Sequence, residues 1–483
     1  MSMKSLVMVS AAALLTACST YPAPVPTQAI GETIETPLGT VRGEQITENG
    51  ATAYIYRGIP YAAPPVGDLR WRAPEPAEAW DGVLDATEYP NRCPQGESSM
   101  GAGGPISEDC LYVNVVTAAE SSDEMRPVMV FFHGGGLTTG TGNSTTYNHP
   151  MLPTKGVVSV SVNSRLGPMG YLAHPDLSEE SVYGSGNYGT LDLKASLEWV
   201  KENIAAFGGD PDNVTIFGES GGGTKTISQM ATPLARGLFD SAIVESGSAL
   251  VSEQRITMLD DAEAKGVELA EKLGADSLED LRAVSWEDII AAADEVGFRA
   301  NVVVDGYVIP EPVSTMFANG DQAQVPLIVG ANEGERSLQT SVPLMANLHS
   351  ASGAPTYVYN FTHLPMGWRD EEGCVAFHGL ELTYVFGAVP NGLQSRTTQF
   401  LAGTGGCTVR VPEHDAQDLW LAERNAEIWA SFAADGNPSV NGLIDWDAYT
   451  EDNNVYLDIG IPLEMKDNVE GSYVAPDVEN PRF

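Results

Sequence analysis

Apolar residues in this chain follow two spacings. Short β-branched or aromatic runs stand at 127–132 (PVMVFF), 156–162 (GVVSVSV), 214–217 (VTIF), 241–245 (SAIVE), 326–330 (PLIVG) and 356–361 (TYVYNF). Several are apolar at consecutive positions, which predicts strands covered on both faces of a mostly parallel sheet. Between them the pattern changes to helical spacing over 190–206, 221–231, 260–273 and 415–433. In the first helix Leu191, Ala195, Leu197 and Val200 share a face, and the paired glycines and proline of FGGDPDN (207–213) stop it. Strand–helix alternation without an internal repeat predicts one α/β domain over 32–483, a central twisted sheet with helices on both faces.

The N-terminus departs from this pattern. Lys4 precedes the apolar run LVMVSAAALL (6–15), and LTAC (15–18) resembles the lipobox of bacterial lipoprotein signals. The expectation is a signal over 1–17, lipidation of Cys18 and a proline-spaced tether over 18–31. The apolar run is too short to span a bilayer, so the expected membrane contact is through the lipid alone. Ser19, rather than Asp, after that cysteine resembles outer-membrane delivery in a Gram-negative bacterium.

Four cysteines remain, Cys93, Cys110, Cys374 and Cys407. In an oxidising compartment an even count reads as two disulfides, most simply 93–110 and 374–407. The first would close a loop with 16 residues inside it, a stabilisation of about 3 kcal/mol on chain-entropy grounds. The C-x-x-C, H-E-x-x-H and calcium-loop patterns do not occur, so neither a metal nor a cofactor is expected. With 65 Asp+Glu against 25 Lys+Arg, the net charge of −40 argues against nucleic acid or anionic lipid as partner.

The candidate chemistry begins at TIFGESGGGTK (215–225). Ser220 lies where an apolar strand meets a helix, so the G-x-S-x-G pattern places its hydroxyl on a sharp turn at the sheet edge. A serine needs a base, an acid to orient that base, and donors for an oxyanion. VFFHGGGL (130–137) follows a strand and has the form of an oxyanion loop. Gly135 and Gly136 can turn their N–H groups inward, and Gly221 adds a third at a helix N-terminus. In this fold the acid and then the histidine follow the serine. Of the histidines beyond the candidate acids, His378 stands in FHGLELTYVFG (377–387), close to Cys374.

The stretches YRGIPYAAPPVGDLRWRAPEPAEAWDG (56–82), SEDCLYVNV (107–115), NSRLGPMGYL (163–172) and GNYGTLDLKASLEWVKENIAAFGGDPDNVTIFGESGGG (186–223) resemble type B carboxylesterases. These form the cholinesterase-like branch of the α/β-hydrolases, which includes bacterial para-nitrobenzyl esterases. The resemblance is dense over about 35–250 and returns at 326–337, 377–387 and 415–450. It implies Ser220 as nucleophile, His378 as base, Gly135, Gly136 and Gly221 as the oxyanion hole, and a Cys93–Cys110 bridge. It also implies supporting roles for Glu219 and Ser246. The acid departs from the family form G-x-N-x-D-E-G: here GANEGERS (330–337) gives Glu335 by ungapped counting, and Glu333 if the alignment slides by two.

The implied activity is hydrolysis of small to medium or bulky neutral esters through an acyl-enzyme. Two rivals are an amidase, carbamate hydrolase or lactonase with the same triad, and a silent adhesion protein on the same fold. Only 42 residues separate Glu335 from His378, where many family members carry a longer insertion, so a more open acyl-side entrance is expected. The Cys93–Cys110 loop holds no aromatic residue. Cholinesterases place a tryptophan there to bind quaternary ammonium, so a dedicated choline esterase is not expected.

Overall fold

The structure, a computed structural model, describes residues 26–96, 104–247 and 256–478. The expected signal, Cys18 and most of the expected tether lie outside these residues. Eleven strands form the main sheet: β1 (Glu44–Glu48), β2 (Ala51–Pro60), β3 (Tyr112–Thr117), β4 (Arg126–Phe132), β5 (Val158–Val162), β6 (Gly209–Glu219), β7 (Ser241–Glu245), β8 (Leu327–Asn332), β9 (Thr356–Phe361), β10 (Val455–Ile459) and β11 (Leu463–Asp467). Their spatial order is β1-β2-β3-β5-β4-β6-β7-β8-β9-β10-β11. From β5 to β10 neighbouring strands run parallel, and antiparallel pairs close both ends. This is an α/β-hydrolase fold.

Consecutive apolar residues are explained by the two-sided burial of the central strands. In β4, Val128, Val130 and Phe132 enter one core cluster, while Met129 and Phe131 enter the other. The expected helices appear as α1 (Tyr188–Asn203), α2 (Gly221–Ala231), α3 (Leu259–Leu273) and α5 (Ala416–Asp435), with α4 (Ser341–Ala351) between the last two. A 3-10 turn carries α1 on to Phe207, and left-handed Gly208 (φ 82°) ends it. Asp415 caps α5, accepting from the N–H groups of Gln417 and Asp418.

The largest boundary difference is at β6, which begins at Gly209 rather than Val214, because Gly209 pairs with Arg126 before an irregularity restores Val214 opposite Val128. Both disulfides form, with Cα–Cα distances of 5.0 Å for Cys93–Cys110 and 4.6 Å for Cys374–Cys407. The register aligns the carboxyl ends of the parallel strands, with Gly218 opposite Phe132, Glu219 opposite Glu245, and Glu245 opposite Gly330. That edge is where open α/β sheets present their ligand crevice.

Candidate active site

Ser220 occupies the single residue between β6 and α2, at φ 58° and ψ −119°. A β-carbon in that left-handed region is strained, and such strain marks a residue held for use. Its N–H donates to the carbonyl of Glu245 (2.9 Å) and its carbonyl accepts from Thr224 (3.1 Å), which fixes the turn from both sides. The next residue must be glycine for a steric reason: a Cβ on Gly221 would lie 2.4 Å from the amide nitrogen of Gly136. Helix α2 and the 133–140 loop are thus in backbone contact.

Gly135 (φ 98°) and Gly136 (φ 62°) shape that loop. Among the described residues the N–H groups of Gly135, Gly136 and Gly221 donate to no protein acceptor. The amides of Gly136 and Gly221 lie close together next to Ser220, the second at the positive end of a helix.

His378 and Glu335 come from loops after β9 and β8. His378 Nδ1 lies 2.7 Å from Glu335 Oε1. The second oxygen of Glu335 accepts from Ser246 Oγ (2.7 Å) and from the N–H of Asn332 (2.9 Å). Burial would push this carboxyl up, but His378 and those donors hold it below the usual range, so it is ionised. Glu333 lies elsewhere. Its N–H donates to Phe361, and its carboxyl, pushed up to about 7 by burial, faces Asp458 and Lys466. His378 Nε2, on the far side of the ring from Glu335, is 3.1 Å from Oε1 of Glu219, the residue before Ser220. Burial raises Glu219 to about 7, with His378 opposing and Glu335 adding to the rise. All the expected site residues except Cys18 and Glu333 are thus at the described elbow, its loops or the two bridges.

Three buried groups here were not legible in the sequence. Glu245 is raised to about 8 by burial although Trp429 Nε1 donates to it (3.0 Å). Glu381 is raised well above the ordinary range by burial and by its acidic neighbours, and Asn332 Nδ2 donates to it. Lys225, on α2, is fully buried beside His133. Lys225 stands in GGGTKTISQMA with Thr224, Ser228 and Gln229 at helical spacing, which reads as a solvated face, whereas the structure buries every residue of the helix. A cavity of about 610 Å³ opens next to Glu219 and Gly379, with Tyr89, Tyr147, Leu382 and Thr383 in its wall. Its size is that of a small-molecule site. No group of three or more His, Cys, Asp or Glu that could hold a metal occurs among the described residues.

The model of the carboxylesterase family matches residues 31–342 and 336–475. A para-nitrobenzyl esterase of Bacillus subtilis is 34% identical, over 89% of this chain and 96% of its own length. A fumonisin B1 esterase of Sphingopyxis macrogoltabida is 31% identical over 83% of each. A solved PNB esterase structure superposes with a TM-score of 0.77 at 31% identity, covering 90% of this chain and 97% of that one. Family match, relatives and fold agree, and the chain belongs to the carboxylesterase family: it is an ester hydrolase.

Proposed function

We propose that Ser220, His378 and Glu335 are the triad of this esterase, with the N–H groups of Gly135, Gly136 and Gly221 as its oxyanion hole. His378 Nε2 takes the Ser220 proton as Oγ attacks the ester carbonyl, whose oxygen gains the negative charge and is held by the three donors. The tetrahedral adduct collapses as the same nitrogen protonates the leaving alcohol, and a water then releases the acid by the reverse sequence. The observation that carries this reading is the 2.7 Å Glu335–His378 contact. It orients the ring with Nε2 turned to the elbow, and an ionised Glu335 stabilises the imidazolium that each step forms. Ser246 and the Asn332 amide support the acid; Glu219 lines the Nε2 side.

The general acid delivers its proton to the leaving oxygen, so the alcohol portion lies on the Nε2 side, where the 610 Å³ cavity opens. This favours neutral esters of medium or bulky alcohols, and the short passage from Glu335 to His378 favours an open acyl side. Steady-state rates over esters varied independently in acid and alcohol, paired with matched amides, test the proposal. Retention of kcat/KM from acetyl to longer acyl chains and a large ester-over-amide ratio are expected; collapse beyond acetyl or amide preference contradicts it. Lipidation of Cys18 belongs to the same proposal, and the mass of the mature N-terminal peptide tests it.

A further inference from the structure

Lys225 has no place in the hydrolytic steps, yet it sits five residues after Ser220 with 1% of its surface exposed. Among the described residues no carboxylate pairs with it; burial alone lowers it to about 7. A methionine would fill this space without the cost of burying an amine, so the amine needs a reason. Its Nζ lies 3.1 Å from the carbonyl oxygen of His133 and 3.3 Å from Nε2 of the same residue. The other ring nitrogen, Nδ1, is 2.8 Å from the carbonyl oxygen of Gly134.

A carbonyl only accepts, so Nδ1 carries the hydrogen, and in a neutral imidazole Nε2 then offers its lone pair to the lysine. Burial, and then Lys225 itself, hold His133 well below the usual histidine range, which keeps that ring neutral. The Gly134 carbonyl belongs to the same planar peptide as the Gly135 N–H, and in a trans peptide the two point opposite ways. Pinning the oxygen aims the N–H.

We infer that Lys225 is a positioning residue for the oxyanion hole: through the tautomer of His133 it fixes the Gly134–Gly135 peptide, and from α2 it keeps that peptide in register with Ser220. The inference rests on the proposed Ser220 chemistry. Without the lysine, Nε2 loses its donor, the ring is free to adopt the Nε2–H tautomer, and the Gly134 carbonyl loses its bond.

The test is Lys225→Met, with rates normalised to active sites titrated by an organophosphate. The expected result is a fall in kcat of about 10- to 100-fold, the scale of a small misplacement of catalytic groups, with KM within about twofold. Affinity for an aryl trifluoromethyl ketone should fall by the same factor. That ketone takes up the serine Oγ to form an oxyanion while the serine proton passes to His378. Lys225→Gln, which keeps a donor, should fall between the two and serves if the methionine variant does not fold. Nitrogen-15 NMR of the wild-type His133 ring should give the Nδ1–H tautomer. An unchanged kcat and ketone affinity per titrated site, or an Nε2–H tautomer in the wild type, would overturn the inference. A Ser220→Ala enzyme with undiminished turnover would instead overturn the triad beneath it.

Discussion

Two of the buried charged regions of this molecule are built oppositely. Next to α1, Arg165 and Asp192 face each other with Nη2–Oδ1 at 2.6 Å and Nε–Oδ2 at 2.9 Å, both side chains almost wholly enclosed. Burial works against the arginine's charge, but the adjacent carboxylate raises it above its ordinary value. At the carboxyl edge of the sheet, Glu219, Glu245, Glu335 and Glu381 are equally buried, and among the described residues no lysine or arginine pairs with them. The first region cancels its charge and holds structure. The second has no such counter-cation, so burial raises Glu219 to about 7, Glu245 to about 8 and Glu381 well above the ordinary range, while Glu335 leans on His378, a pattern typical of proton-transfer sites.

Substitutions that separate these roles sharpen the contrast. The largest effect is expected from Glu335→Gln, which preserves shape and removes the charge behind His378: kcat should fall by about 10⁴-fold with the melting temperature little changed. Wild-type kcat would move the acid elsewhere. Arg165→Met should act on stability instead, costing about 3–5 kcal/mol because Asp192 is left buried and unpaired. Denaturant unfolding reads that cost, and kcat per folded molecule should hold; a loss of kcat without a loss of stability would erase the distinction. Gly221→Ala drives a methyl into the Gly136 amide, a backbone contact that must shift, and should lower kcat per folded molecule by about 10²- to 10³-fold with a measurable loss of stability; wild-type kcat per folded molecule would contradict it.

The smallest effect is one of pH. Glu245 titrates at about 8 in the folded chain against 4.5 when free, and Glu333 at about 7. Between those values the folded chain binds more protons than the unfolded one, so their contribution to stability falls as pH rises from about 4.5 to 8. Lys225, lowered to about 7, contributes the opposite slope above that pH. The melting temperature should decline from pH 5 to pH 8, and Glu245→Gln should flatten that decline. An identical slope in the variant would count against a protonated Glu245.

What the sequence disclosed follows from range. The Ser220 elbow and the HGGG loop are local objects, set by glycines a few residues apart, and the central strands announce themselves by runs such as VMVFF. Strands β1 and β11 and the hairpin Thr33–Thr36 with Gly39–Arg42 escaped because edge strands are half exposed and carry polar residues, as in EQITE. Strands β2, β3 and β10 escaped although they lie inside the sheet, because only pairing with distant segments places them there. His378 and Glu335 stand 43 positions apart, a distance across which spacing says nothing; family resemblance supplied the pairing. The buried carboxyls were hidden for a further reason. A glutamate closing SAIVE looks like a strand meeting solvent, and only the packing of Trp429 over it makes it an interior group.

The account turns on Ser220 as the attacking atom. The direct measurement is peptide mass spectrometry after inactivation by an organophosphate, followed against residual esterase activity. One phosphoryl adduct on the peptide spanning 215–225, rising in proportion to lost activity and absent from Ser220→Ala, is the predicted result. Complete inactivation with that serine unmodified would contradict it.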